Sequence, residues 1–249
     1  MANLTPEEQK MYDILHAKKH ATGERIVHVI QVLDGSTSMN HGKSITISTF
    51  NEASESLRQN RVGKTTATLL TFSNYVDAPK YVQADLDRIV ALNDYNYETS
   101  GMTALYDAIG RAIELGLEFE GADQNAQFLL QIFTDGDENH SSTKYKDPRT
   151  LRALIEKVQA TERWTITVAG PKGQIHNFVA NLGLHAGNTH QYDPSSLQAR
   201  SVTRNMFVAS TANYMTNAAA GVTAMNSAYS SVAAAPIQKT DDPDLKVQQ

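Results

Sequence analysis

The sequence has no cysteine. That absence excludes disulfide frameworks, Cys-ligated zinc or iron–sulfur centres and any thiol nucleophile. Positive charge is also in short supply, because 22 Lys plus Arg stand against 27 Asp plus Glu for a formal net charge of -5. No surface for neutralising phosphates is implied, so no nucleic acid is expected as a partner. Nowhere does the chain approach the ~20 consecutive apolar residues that a bilayer span requires, and no membrane insertion is expected. The opening stretch MANLTPEEQKMYDILHAKKH lacks the basic start, apolar run and small-residue cleavage site of a secretory signal. A cytoplasmic protein is the expectation.

What is present is ordinary for a folded domain: 249 residues, 41% hydrophobic and 20% charged. Thr5-Pro6-Glu7-Glu8 combines a capping residue, proline at the first helical position and a glutamate three after the cap, which predicts a helix over Pro6 to Lys19. Arg25 to Leu33 is β-branched and apolar, the pattern of a strand buried on both faces. Helical spacing follows over Ser44 to Gln59, a strand over Thr65 to Phe72, a short helix over Asp85 to Leu92 and a helix over Ala104 to Phe119. Phe128 to Phe133 reads as a second core strand. Asp147-Pro148 and Asp193-Pro194 each pair a cap with proline, starting helices over Leu151 to Thr161 and Ser195 to about Ala212. Between those two helices fall a strand at Trp164 to Ala169, a helix near Ile175 to Leu182 and a short strand around His190 to Tyr192. Strands separated by helices argue for parallel βαβ units, hence an α/β fold with a doubly wound, mostly parallel sheet flanked by helices. The chain divides into an N-terminal helix (1–24), that domain (25–212) and a helical or flexible C-terminal extension (213–249), whose Ala, Ser, Thr and Asn content gives it little to bury.

Ligands in such sheets gather beyond the carboxyl ends of strands. Two predicted strand ends carry aspartates, VLDGSTSM with Asp34, Ser36 and Ser38, and IFTDGDEN with Asp135. A third segment, SGMTALYDAI, puts Thr103 at a helix start facing the same end. Two carboxylates and three hydroxyls suit a hard cation, Mg²⁺ or Mn²⁺ with Ca²⁺ also compatible, and leave it under-compensated and open to an anionic oxygen from outside.

The segments Asp34-Gly35-Ser36-Thr37-Ser38-Met39, Gly101-Met102-Thr103-Ala104-Leu105-Tyr106-Asp107-Ala108 and Thr134-Asp135-Gly136 together resemble the von Willebrand factor type A domain with its metal-ion-dependent adhesion site. The resemblance covers roughly residues 25–212 and is to the intracellular members found in bacteria and phages. It implies a Rossmann-like fold in which Ser36 and Ser38 bind the metal directly. It also implies that Thr103 binds directly or through water, while Asp34 and Asp135 act mainly through water or hydrogen bonds. The implied partner is a protein presenting Asp or Glu to the open position. In members that switch affinity the final helix shifts. Two positions depart from the family pattern: Thr37 stands where glycine is usual between the serines, and Met102 replaces the second glycine of Gly-Gly-Thr. Both are places where glycine adopts the required backbone more easily.

Several other features lead elsewhere. His16 and His20 stand four apart without a third ligand, the pattern of a solvated face. His28 reads as a hydrogen-bonded core histidine, and His41 as a rim residue of the metal loop. Arg61-Val62-Gly63-Lys64-Thr65 lacks the first glycine of a phosphate loop and precedes a strand, so nucleotide binding is rejected there. Asp123, Asp137 and Glu138 are acidic neighbours of the site able to shape its selectivity. Asn139-His140-Ser141 matches a glycosylation acceptor only by pattern. A Mg²⁺-dependent aspartyl phosphatase would need a second aspartate where Ser36 stands, and no catalytic role is expected. The alternative to a metal-dependent binding module is a scaffold protein associating through its C-terminal extension, as a homo-oligomer or in a larger assembly.

Overall fold

A strand made of IVHVIQVLD has no polar face to offer water, and it lies where that composition demands, in the middle of a sheet covered on both sides. The computed structural model describes residues 25–232 apart from 123–124, 136–137, 174 and 194–195. The predicted helix over Pro6 to Lys19, with His16 and His20, lies outside the described residues, as do Asp123, Asp137 and positions 233–249.

Six strands, β1 (Ile26–Asp34), β2 (Lys64–Phe72), β3 (Tyr81–Asp85), β4 (Gln127–Phe133), β5 (Trp164–Pro171) and β6 (Thr189–Tyr192), form one sheet in the order β3-β2-β1-β4-β5-β6. All pairs are parallel except β2 with β3. Five α-helices accompany them: α1 (Lys43–Gln59), α2 (Leu105–Ala122), α3 (Pro148–Gln159), α4 (Ile175–Leu182) and α5 (Leu197–Ala220). Alternate residues of each strand serve opposite faces. Ile30 and Val32 pack with α2, α3 and α4, whereas Val29 and Leu33 pack with α1 and α5. The predicted mixed α/β sheet flanked by helices is the one observed. Among the described residues no helix is long and apolar enough to cross a membrane.

Capping chemistry explains where the helices begin. Asp147 accepts a hydrogen bond from Arg149 N at 2.9 Å, with Pro148 in the first turn, as the sequence predicts. His28, 4% exposed, meets the Thr66 hydroxyl at 2.6 Å and is a core histidine, again as predicted.

Three expectations are corrected. The edge strand β3 was not anticipated, because YVQAD is half exposed and its pairing slips between Ala67 and Leu69, so it shows no clean alternation. The helix expected over Asp85 to Leu92 is a single 3-10 turn, Leu86–Arg88. Asp85 does cap it, but Arg58 of α1 donates to the Leu86 and Ile89 carbonyls at 2.9 and 3.1 Å, taking acceptors that a longer helix would use. The last helix is capped by Ser196 instead of Asp193, and it passes Ala212 without a break to end at Gly221, whose φ of 98° is left-handed.

Residues 221–232 are not idle either. Met225 N donates to the Thr165 hydroxyl at 2.8 Å, and the Asn188 amide brackets the segment by donating to Met225 O and accepting from Ala228 N. Met225, Ala228 and Tyr229 are buried against the sheet. Composition suggested little to bury here, but three apolar side chains at positions 225, 228 and 229 suffice to seat the segment.

Candidate metal centre

Asp34 closes β1 and Asp135 follows β4 directly, on neighbouring parallel strands whose connections leave toward opposite faces of the sheet. This is the switch point at which open α/β sheets form crevices. Beyond Asp34 the chain turns into a short 3-10 helix, Thr37–Gly42, which carries Ser38.

Four of the five predicted residues form one hydrogen-bonded chain of oxygens. Ser38 Oγ donates to Asp135 Oδ1 at 2.7 Å, and Ser36 Oγ lies 3.0 Å from Ser38 Oγ. Asp34 Oδ1 accepts from Ser36 N at 2.7 Å, fixing the loop that presents both serines. The fifth, Thr103, is 3% exposed and stands outside that chain, with only its loop bonded to the serine loop. Its N–H donates to Asn139 Oδ1 at 2.9 Å, and its carbonyl accepts from Asn139 N and His140 N. Its loop is stitched to the serine loop by Thr37 N to Gly101 O at 3.1 Å and Ser100 N to Gly35 O at 2.7 Å. Gly101 has φ +79° and its missing Cβ would sit 2.8 Å from the Asn74 amide, so only glycine serves there.

The two departures from the family pattern are resolved by the backbone. Neither Thr37 nor Met102 adopts a positive φ, so neither position needs glycine, and Met102 N is held by Asn74 Oδ1 at 2.8 Å. The expectation that positions 37 and 102 need a backbone that glycine adopts more easily is therefore corrected.

Electrostatics mark the site more clearly than shape. Asp34 is fully buried, and burial pushes its carboxyl up to about 6, against the opposing hydrogen bonds from the Thr134 hydroxyl at 2.5 Å and from Ser36. Burial also raises Asp135, while the Ser38 hydroxyl and the Arg200 guanidinium pull it back down. A buried carboxylate with hydrogen bonds and no cation in contact is under-compensated. Among the described residues no group of three or more His, Cys, Asp or Glu could hold a metal, so a cation here rests on two carboxylates and on hydroxyls. Such an all-oxygen donor set fits a hard divalent ion.

Sequence reasoning missed four supports. Tyr97 donates its hydroxyl to the Asp34 carbonyl, Thr134 holds the Asp34 carboxylate, Asn139 holds Thr103, and Arg200 of α5 donates to the His41 carbonyl on the serine turn. Thr134 and Asn139 left a trace, both lying in the quoted IFTDGDEN, though nothing there signalled their roles. Glu138 also has a structural role, since it accepts from Tyr106 N at 2.7 Å and from the backbone and hydroxyl of Ser141, capping α2. A small gap of about 10 Å³ between Met39, Gly42, Phe133, Asp135, Tyr192 and Arg200 backs the site.

No protein-family model matches the sequence, and no curated protein matches it. Among solved structures, the chain is similar to proximal thread matrix protein 1 from the mussel byssus, at 18% identity and a TM-score of 0.50 over 74% of this chain and 46% of that one. It is similar to the PilB minor pilin from Streptococcus sanguinis at 14% identity and a TM-score of 0.55, over 81% and 63% of the two chains. A von Willebrand factor type A protein from Catenulispora acidiphila matches at 14% identity and a TM-score of 0.46, over 77% and 43%. The chain thus spans between 43% and 63% of the length of these structures. At these identities the first two likenesses show a shared fold.

Proposed function

We propose that the chain is a metal-dependent protein-binding module of the von Willebrand factor type A kind, which captures an Asp or Glu of a partner protein through Mg²⁺ or Mn²⁺. The observation that carries this reading is the oxygen chain Ser36–Ser38–Asp135 set beside a fully buried, under-compensated Asp34 at the switch point of the sheet. Ser36, Ser38 and Thr103 would hold the ion, with Asp34 and Asp135 acting through water or hydrogen bonds. The bound ion would supply positive charge facing outward, able to take one more carboxylate oxygen. This chain's own residues position the donors: Thr134 and the Ser36 N–H orient Asp34, Asn139 orients Thr103, and Asn74 pins the turn before it. The serine hydroxyls bonded to these carboxylates are read as ion ligands, and the module is proposed as non-enzymatic.

Thermal unfolding in EDTA and then in Mn²⁺ or Mg²⁺ tests the reading. An ion at about 100 times its dissociation constant adds ~2.7 kcal/mol, a rise of roughly 5–10 °C for a domain of this size. Wild type is expected to show that gain and Asp135→Ala to show none. A wild type indifferent to both ions defeats the proposal, and so does partner capture that persists in EDTA.

A further inference from the structure

A permanent positive charge sits beside this candidate cation site. Arg200 lies near the start of α5, and its guanidinium donates to the main-chain carbonyl of His41, within the turn Thr37–Gly42 that carries Ser38. The contact is close enough that a Cβ added to Gly42 would stand 3.6 Å from Arg200 Nη1. Arg200 and Asp135 also line the same small gap, together with Tyr192 and Phe133.

We propose that Arg200 is a built-in counter-cation of the metal centre, a residue that weakens binding of the divalent ion. The inference rests on the metal-site reading above. An arginine keeps its charge at every working pH, so it partly offsets the Asp135 carboxylate that lines the same gap. An incoming dication must then enter a field already partly cancelled, and its own charge is repelled by the guanidinium.

Arg200 is also a strut between α5 and the serine turn, and the two roles have opposite signs. Loss of a strut loosens the turn and weakens ion binding, whereas loss of a counter-cation strengthens it. Mn²⁺ titration of wild type, Arg200→Gln and Arg200→Lys separates them, followed by calorimetry or by electron paramagnetic resonance of the free ion. Thermal unfolding in EDTA confirms that each variant is folded. Arg200→Gln is expected to bind Mn²⁺ about tenfold more tightly than wild type, and Arg200→Lys, which keeps the charge, to stay near wild type. Equal or weaker Mn²⁺ binding by Arg200→Gln, with wild type binding normally, overturns the counter-cation role and leaves the metal-site reading standing. No Mn²⁺ binding by any of the three proteins overturns both.

Discussion

Tyr97 spends its only hydroxyl on the carbonyl of Asp34, from a side chain that is itself fully buried. Burial, and the neighbouring Asp34 charge, keep that phenol protonated by pushing its pKa upward. Tyr97→Phe is expected to cost about 1 kcal/mol, because a buried carbonyl loses a partner while the ring still fills its place; chemical denaturation in EDTA reads this directly. Gly116 is constrained by space instead of polarity. A Cβ there would stand 2.1 Å from the Trp164 ring, in the stack that Trp164 makes with Phe128 at 4.4 Å. Gly116→Ala should therefore destabilise by roughly 1–3 kcal/mol despite its better helix propensity, and a stability equal to wild type would contradict the packing described. The candidate site was legible at this scale only where its residues are close in sequence or end a strand. Asp34, Ser36, Ser38, Thr103 and Asp135 announce themselves by spacing and by strand-end position. Tyr97, Asn139 and Arg200 act across 63, 36 and 159 positions, and no local pattern foretells such contacts.

At the scale of elements, α5 is tied at both ends to parts of the chain outside it. Arg200 ties its start to the serine turn, and the Arg25 guanidinium donates to the Ala218 carbonyl at its end, where a cation also favours the helix dipole. The segment after Gly221 then covers the start of β5 and the turn before β6, with Tyr229 N donating to Gly187 O at 3.1 Å. Tyr229→Ala is expected to cost about 3 kcal/mol, measured by thermal or urea unfolding, since a buried aromatic is removed from the core. His190 of β6 makes this region sensitive to acid. Its ring lies 3.1 Å from the Thr203 hydroxyl and 5.6 Å from the Tyr229 ring, and burial holds its pKa below the usual value. A base whose folded pKa is depressed binds fewer protons when folded, so its contribution is present above about pH 6.5 and lost as pH falls through the lower folded value. Wild type should accordingly lose more stability than His190→Asn between pH 7.5 and 5, and parallel losses would refute the assignment. Element existence was legible wherever apolar periodicity was strong. The edge strand β3 and the far end of α5 were not, because each depends on a neighbour that supplies hydrogen bonds or cover.

For the whole molecule, sheet order decides which parts open first. The central strands β2, β1, β4 and β5 are buried along almost their whole length, whereas β3 is half exposed and β6 spans only Thr189–Tyr192. Native-state hydrogen exchange is expected to be slowest in β1 and β4 and fastest in β3, the ordering that local unfolding from exposed edges produces. Protection of β3 equal to that of β1 would mean that this edge is covered by something else. The sheet class was legible from the alternation of apolar strands with helices. Its antiparallel edge was not, since a hairpin-like return needs no sequence signal beyond one irregular strand.

The central position of β1 also sets the timetable of synthesis. Gln31 of β1 meets Gln131 of β4 across 100 positions of chain. At the ribosome's pace of about 5–20 residues per second, the apolar β1 emerges roughly 5–20 s before its partner on that flank exists. During that interval its unpaired edge is the nascent chain's most exposed liability, open to chaperones and to neighbouring nascent chains alike.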